Sequence, residues 1–167
     1  MNYANPYCLK TTGELLNLRG AAAGRAVVGP ESGACRDNYL LRTMKKTIAS
    51  PKAPAAVGPY SQAVELNGTL FISGQLPVDP VSGQMPEGIE AQTRRSLDNI
   101  GYILEEAGLG FDDIVKTTVL LDDIANFGAM NAVYAEYFKG DKPARVCYQV
   151  AALPKGAKVE IDAVAGK

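Results

Sequence analysis

Histidine is absent from all 167 residues. That removes the usual base of a catalytic triad, the imidazole proton shuttle and the commonest metal ligand. Paired cysteines are absent too. Cys8, Cys35 and Cys147 stand far apart with no CxxC spacing, so neither a zinc knuckle nor a dithiol redox motif can be drawn. Scattered thiols of this kind fit a reducing compartment. No run approaches the roughly 18 apolar residues of a membrane helix, which predicts a soluble chain. Neither sign of charge dominates. A net charge of -1 gives no global reason to bind nucleic acid or an anionic membrane, although a local basic patch stays open. Chemistry is left to Arg, Tyr, Cys, Glu, the backbone and water.

What is present divides near Met44. Residues 1–43 mix Gly, Ala, Asn and Arg with short apolar pairs such as Leu15-Leu16 and Val27-Val28, and show no sustained period. This piece reads as a poorly structured N-terminal extension, with Met44 a natural start. It lacks the apolar core of a secretory signal, and Glu14, Glu31 and Asp37 fit badly with an acid-poor mitochondrial presequence. A cytoplasmic location is expected, with the mitochondrial matrix as the alternative should residues 1–43 act as a presequence. Residues 44–167 form the single expected domain, consistent with the chain length and an ordinary hydrophobic fraction of 47%.

From Met44 the patterning is dense. A short strand over Lys45 to Ala49 precedes a connection carrying Pro51, Pro54 and Pro59. Ser61 to Leu66 and Thr69 to Ser73 then flank Asn67-Gly68, the two-residue signal of a type I′ hairpin. Pro77, Pro80, Gly83 and Pro86 mark a loop. Ile89, Thr93, Leu97, Ile100 and Leu104 follow at helical spacing, with Gly108 as the stop. Ile114 to Leu121 reads as a strand. Asp122 or Asp123 caps a helix carrying Phe127, Met130, Tyr134 and either Tyr137 or Phe138. Strands over Arg145 to Ala151 and Ala157 to Ala165, joined by the turn Leu153-Pro154-Lys155-Gly156, close the chain. The order β-β-β-α-β-α-β-β predicts an α+β fold, a mixed sheet with both helices packed on one face.

Strand parity brings reactive groups together. Arg145, Cys147 and Gln149 share one face of their strand, so a cation, a thiol and an amide line one surface. In the last strand Val159, Ile161 and Ala163 alternate with Lys158, Glu160 and Asp162. If the polar faces coincide, a carboxylate faces a guanidinium. The sheet surface away from the helices would carry small and apolar side chains beside those charges. Such a face needs a partner, and association of several sheets would bury it and could build sites between subunits.

Four separated motifs carry a family resemblance: Gly58-Pro59-Tyr60-Ser61-Gln62-Ala63, Ser73-Gly74-Gln75, Ala144-Arg145-Val146-Cys147 and Lys158-Val159-Glu160-Ile161. Together with residues 92–100 and 113–119 they make residues 44–167 similar to the reactive intermediate deaminase A family, also called RidA or YjgF-like, the 2-iminobutanoate/2-iminopropanoate deaminases. The resemblance implies a chorismate-mutase-like α+β fold and a homotrimer with clefts between subunits. It further implies hydrolysis of enamines and imines, such as 2-aminoacrylate, 2-iminopropanoate and 2-iminobutanoate, to 2-oxo acids and ammonia, with no cofactor. By the same resemblance Arg145 binds the substrate carboxylate, Glu160 positions or activates water, and Tyr60, Ser73, Gly74 and Cys147 line the pocket. Chemistry supports those roles: a planar guanidinium holds a carboxylate through two charge-assisted hydrogen bonds, and a carboxylate can serve as base to water. Lys142 stands before Pro143 where members often carry an aromatic residue, and the loop from Gly140 to Lys142 is short. Pocket shape and substrate range therefore stay open.

Other readings of the same residues remain. Arg145 could pair with Glu160 or Asp162 for structure alone. Cys147 could be a small buried hydrophobe, Tyr60 a plug at the core edge, and Ser73-Gly74 a strand-ending turn. Two further functions compete with imine hydrolysis: an endoribonuclease or translation inhibitor, and a small-carboxylate-binding or chaperone-like oligomer without catalysis.

Overall fold

A computed structural model describes residues 7–9, 15–17 and 45–166. The chain divides into two units, Met1–Asn38 and Tyr39–Lys167. In the first, β1 (Tyr7–Leu9) and β2 (Leu15–Asn17) pair antiparallel with Cys8 opposite Leu16. Strands of three residues are too short to show a period, so this ladder is not legible from hydrophobic patterning. The remaining expectations for residues 1–43, including the targeting reading and the surroundings of Cys35, lie outside the described residues.

The second unit is built on a six-stranded sheet. Its strands are β3 (Lys46–Ile48), β4 (Ala63–Leu66), β5 (Thr69–Gln75), β6 (Ile114–Leu121), β7 (Ala144–Gln149) and β8 (Val159–Gly166). Their spatial order is β3-β4-β5-β8-β6-β7. Every neighbouring pair is antiparallel except β6 and β7, which run parallel. The sheet is therefore mixed, as predicted. Asn67 and Gly68 both take positive φ, 54° and 79°, which is what a type I′ turn demands of its two central residues.

Helices α1 (Ile89–Glu106) and α2 (Phe127–Tyr137) cover one face. Leu97, Ile100 and Ile103 of α1 are fully buried with Val119 and Leu121 of β6 and Val159 and Ile161 of β8. Each large side chain removed from water in this way contributes about 1.5–3 kcal/mol before entropy is subtracted. Helix α1 ends where Gly108 turns to φ +69°, with the Gly108 amide donating to the Glu105 carbonyl and the Leu109 amide to the Leu104 carbonyl. This is the paired closure of a Schellman motif. At the end of α2 it is Phe138 that enters the core, while the Tyr137 hydroxyl reaches Asp98 at 2.7 Å.

Two buried amides of α1 connect this layer to the cleft described next. Asn99 donates to the carbonyls of Leu76 and Val78, holding the segment after β5. Gln92 accepts the amide of Lys158 at 2.8 Å, fixing where β8 begins.

Candidate active site

Glu160 is positioned by register. Opposite Leu120 in the β6–β8 ladder, it points away from the helices while its neighbours Val159 and Ile161 point into the core. Across from it β5 carries an irregularity between Ile72 and Gln75, which inserts one residue and re-aims the strand. Gly74 lies in that bulge. A Cβ there would overlap the Glu160 carboxylate outright and lie 3.2 Å from its Cγ, so only glycine lets the acid lie against the strand. Ser73-Gly74 is thus a bulge inside β5, not a strand-ending turn.

A cleft of about 640 Å³ opens in front of this acid, lined by Tyr60, Ser73, Gly74, Gln75, Lys155 and Glu160 among others. Its walls are tied down by short polar contacts. The Ser73 hydroxyl donates to the Ser61 carbonyl at 2.7 Å, and the Gln75 amide donates to the Ser73 carbonyl at 3.0 Å. Tyr60 is half exposed and its hydroxyl accepts the Val57 amide at 3.4 Å. It therefore stands at the cleft wall and does not plug the core. Buried Gln62 clamps the proline-rich connection by accepting from the Ser50 amide at 2.7 Å and donating to the Pro54 carbonyl at 2.8 Å.

The electrostatics leave Glu160 poised. Among the described residues it joins none of the four ion pairs. Burial raises its pKa above the ordinary value, and the like charge of Asp162 raises it further. An unpaired carboxylate raised in this way, in a cleft, is suited to taking a proton from water.

Arg145 lies elsewhere. In the parallel β6–β7 ladder it sits opposite Thr117, which is fully buried on the helix side, so Arg145 points toward α2. Its guanidinium carbon lies 4.6 Å from the centre of the Tyr134 ring and 5.7 Å from that of Phe127. The conditional expectation that the polar faces of the last two strands coincide is corrected: Arg145 and Glu160 occupy opposite faces of one sheet with β6 between them. Parity within a strand is legible in sequence, but the registers that decide which parity faces the helices are not. A structural pairing of Arg145 with Glu160 or Asp162 is excluded for the same reason.

Cys147 shares the Arg145 side, opposite Val119, and packs against the core cluster. Burial raises the pKa of its thiol and the nearby Arg145 lowers it, with burial the larger effect. A neutral, packed thiol is a wall and a poor nucleophile. Two groups result: Tyr60, Ser73, Gly74 and Glu160 line one cleft, whereas Arg145 and Cys147 lie on the other side of the sheet edge. Sequence reasoning missed Lys155 in the cleft and the aromatic pair Phe127 and Tyr134 beside Arg145. Both aromatics were marked at helical spacing, yet nothing in that spacing says what their faces touch.

Comparisons with known proteins agree on kinship. A family model described as Endoribonuclease L-PSP matches residues 50–167. A mouse 2-iminobutanoate/2-iminopropanoate deaminase is 53% identical over 123 residues, covering 73% of this chain and 91% of the relative. The protein of that name from Escherichia coli K12 is 50% identical over 125 residues, covering 73% and 98%. The crystal structure of E. coli TdcF with bound serine matches with a TM-score of 0.71 at 43% identity, covering 73% of this chain and 98% of that one. With the mixed sheet, the two helices on one face and the family match over most of its length, the chain belongs to the reactive intermediate deaminase (RidA/YjgF-like) family, whose family model carries the description endoribonuclease L-PSP.

Proposed function

We propose that this protein hydrolyses reactive 2-imino acids and their enamine tautomers, among them 2-aminoacrylate, 2-iminopropanoate and 2-iminobutanoate. One observation carries the reading: an unpaired, partly buried Glu160 lies against Gly74 in a cleft, in a chain that is about half identical, over the 73% that aligns, to relatives named for this reaction. The reaction consumes one water. Glu160 accepts a proton as the water oxygen bonds to the imine carbon, and that proton is returned to the nitrogen. The resulting carbinolamine then loses ammonia to leave a 2-oxo acid. An imine carbon is already electrophilic, so one positioned base supplies a large part of what is needed.

The carboxylate of the substrate calls for a cation, and Arg145 supplies the matching fork. Because Arg145 and Glu160 face opposite sides of one sheet, the reading places them in one site by assembly, with β7 at the edge of one subunit reaching the cleft of a second. The helix-free face supports association: Phe71, Val146 and Tyr148 point outward there with 49%, 44% and 50% of their surface exposed. A closed ring of three subunits is the arrangement we propose, with one site at each of its junctions. Bound serine in TdcF, an amino acid with a carboxylate, supports a ligand of this class.

RNA cleavage, the activity named in the family description, would call for a basic track to hold phosphates. The net charge of -1 and the acid at the cleft favour the imine reading. The test is direct. An amino-acid oxidase generates the imino acid in solution, and purified protein speeds its conversion to 2-oxo acid, measured by trapping the residual imine with semicarbazide. Arg145→Ala lowers kcat/KM on the order of 100-fold or more. No acceleration with imines of several side chains, by a folded protein, would overturn the proposal.

A further inference from the structure

Arg145 is an unusual cation in its surroundings. It stands on the edge strand β7, partly exposed, and no described carboxylate pairs with it. A long side chain so placed has several rotamers open to it, and a guanidinium binds a carboxylate bidentately only when its plane is correctly turned. Something else must fix that plane. Of the two aromatic rings beside it, that of Tyr134 is the nearer, 4.6 Å from the guanidinium carbon against 5.7 Å for Phe127.

That ring is itself held rigidly. Tyr134 is nearly fully buried on α2, and its hydroxyl shares a 2.8 Å hydrogen bond with the hydroxyl of buried Thr117. It stacks on Phe138 with ring centres 4.4 Å apart and planes inclined by 25°. Thr117 is also the residue directly opposite Arg145 in the β6–β7 ladder. The hydroxyl bond and the strand register therefore tie ring and cation to one point of the sheet. Burial raises the Tyr134 pKa, which keeps the phenol neutral and its hydrogen bond intact.

We infer that Tyr134 is a positioning residue for substrate binding: its ring, locked by Thr117 and Phe138, is the platform that orients the Arg145 guanidinium toward a ligand carboxylate. An aromatic platform suits this task better than an acid would. A carboxylate partner would occupy the same N–H groups that the substrate needs, whereas a π face attracts the cation and leaves those donors available. Helix α2 thereby enters the specificity of the site without touching the substrate through Tyr134. The inference rests on the reading of Arg145 as carboxylate anchor, and its test separates the two.

Steady-state kinetics with 2-iminobutanoate generated in situ would compare wild type, Arg145→Ala and Tyr134→Leu. Loss of the platform raises KM about tenfold in Tyr134→Leu while kcat stays within about threefold, because the ring acts on binding and not on the chemical step. Competitive inhibition by 2-oxobutanoate weakens by the same factor. A merely structural role would instead lower kcat or the amount of folded enzyme and leave KM in place, which would overturn the inference. Should Tyr134→Leu fail to fold, Thr117→Val frees the hydroxyl while keeping the volume. A KM rise of about threefold then supports the inference, and an unchanged KM overturns it. If Arg145→Ala itself leaves KM and kcat/KM unchanged, the anchoring role falls first. If Arg145→Ala raises KM and neither Tyr134→Leu nor Thr117→Val does, only the platform falls.

Discussion

Glu160 lies directly against Gly74. The acid lies where a single added methyl would sit on top of its carboxylate, so Gly74→Ala must push that carboxylate out of its present position. We expect Gly74→Ala to lower kcat on the order of 100-fold, measured on the imine assay, with circular dichroism unchanged. The protonation of Glu160 gives a second prediction. Burial first and Asp162 second push its pKa upward, and the base works only as a carboxylate. Activity is therefore full on the alkaline side and falls as pH drops through a midpoint above the ordinary glutamate value. Asp162→Asn removes the like charge, so its acid limb should shift to lower pH in the kcat profile. A limb that stays in place or moves up would show that Asp162 does not act on the base. The residues themselves were legible: Glu160 and Arg145 stand out by chemistry, and Gly74 by its motif. What could not be read was the contact that makes position 74 glycine, because a bulge in β5 creates it.

At the scale of elements, strands and helices followed from local rules wherever the residues have few alternatives. Asn67-Gly68 fixed a hairpin, and the spacing from Ile89 to Leu104 fixed a helix whose buried stripe contains Leu97, Ile100 and Leu104. Gly108 was read as a stop and takes the positive φ that a helix terminus of this kind requires. Gly108→Ala should destabilise the fold by about 1 kcal/mol, seen as a lower urea midpoint at unchanged slope. An unchanged midpoint would mean that the terminus tolerates a side chain. Sheet order was less accessible. The last strand, β8, inserts between β5 and β6, and β7 pairs parallel with β6, so long-range pairing decides which parity of β7 faces the helices. That is why Arg145, Cys147 and Glu160, close in chain and chemistry, separate onto two faces. The aromatic floor beneath Arg145 was hidden for the same reason, since α2 reaches Arg145 only after β7 has docked on β6.

For the whole molecule, the placement of Glu160 and Arg145 on opposite faces of one sheet is the main consequence. One chain holds Glu160, the proposed base, in a cleft but places Arg145, the proposed carboxylate anchor, on the other side of the sheet, while its helix-free face exposes Phe71, Val146 and Tyr148. Each feature is explained if neighbouring copies exchange these parts. Complementation tests this most directly. Arg145→Ala and Glu160→Ala, each strongly impaired alone, would be unfolded together in equal amounts, refolded and assayed for imine hydrolysis. Random assembly gives about one site in four an intact Arg145 from one subunit and an intact Glu160 from its neighbour, so about a quarter of wild-type activity should return. Mixed oligomers that form and stay inactive would contradict a site shared between subunits.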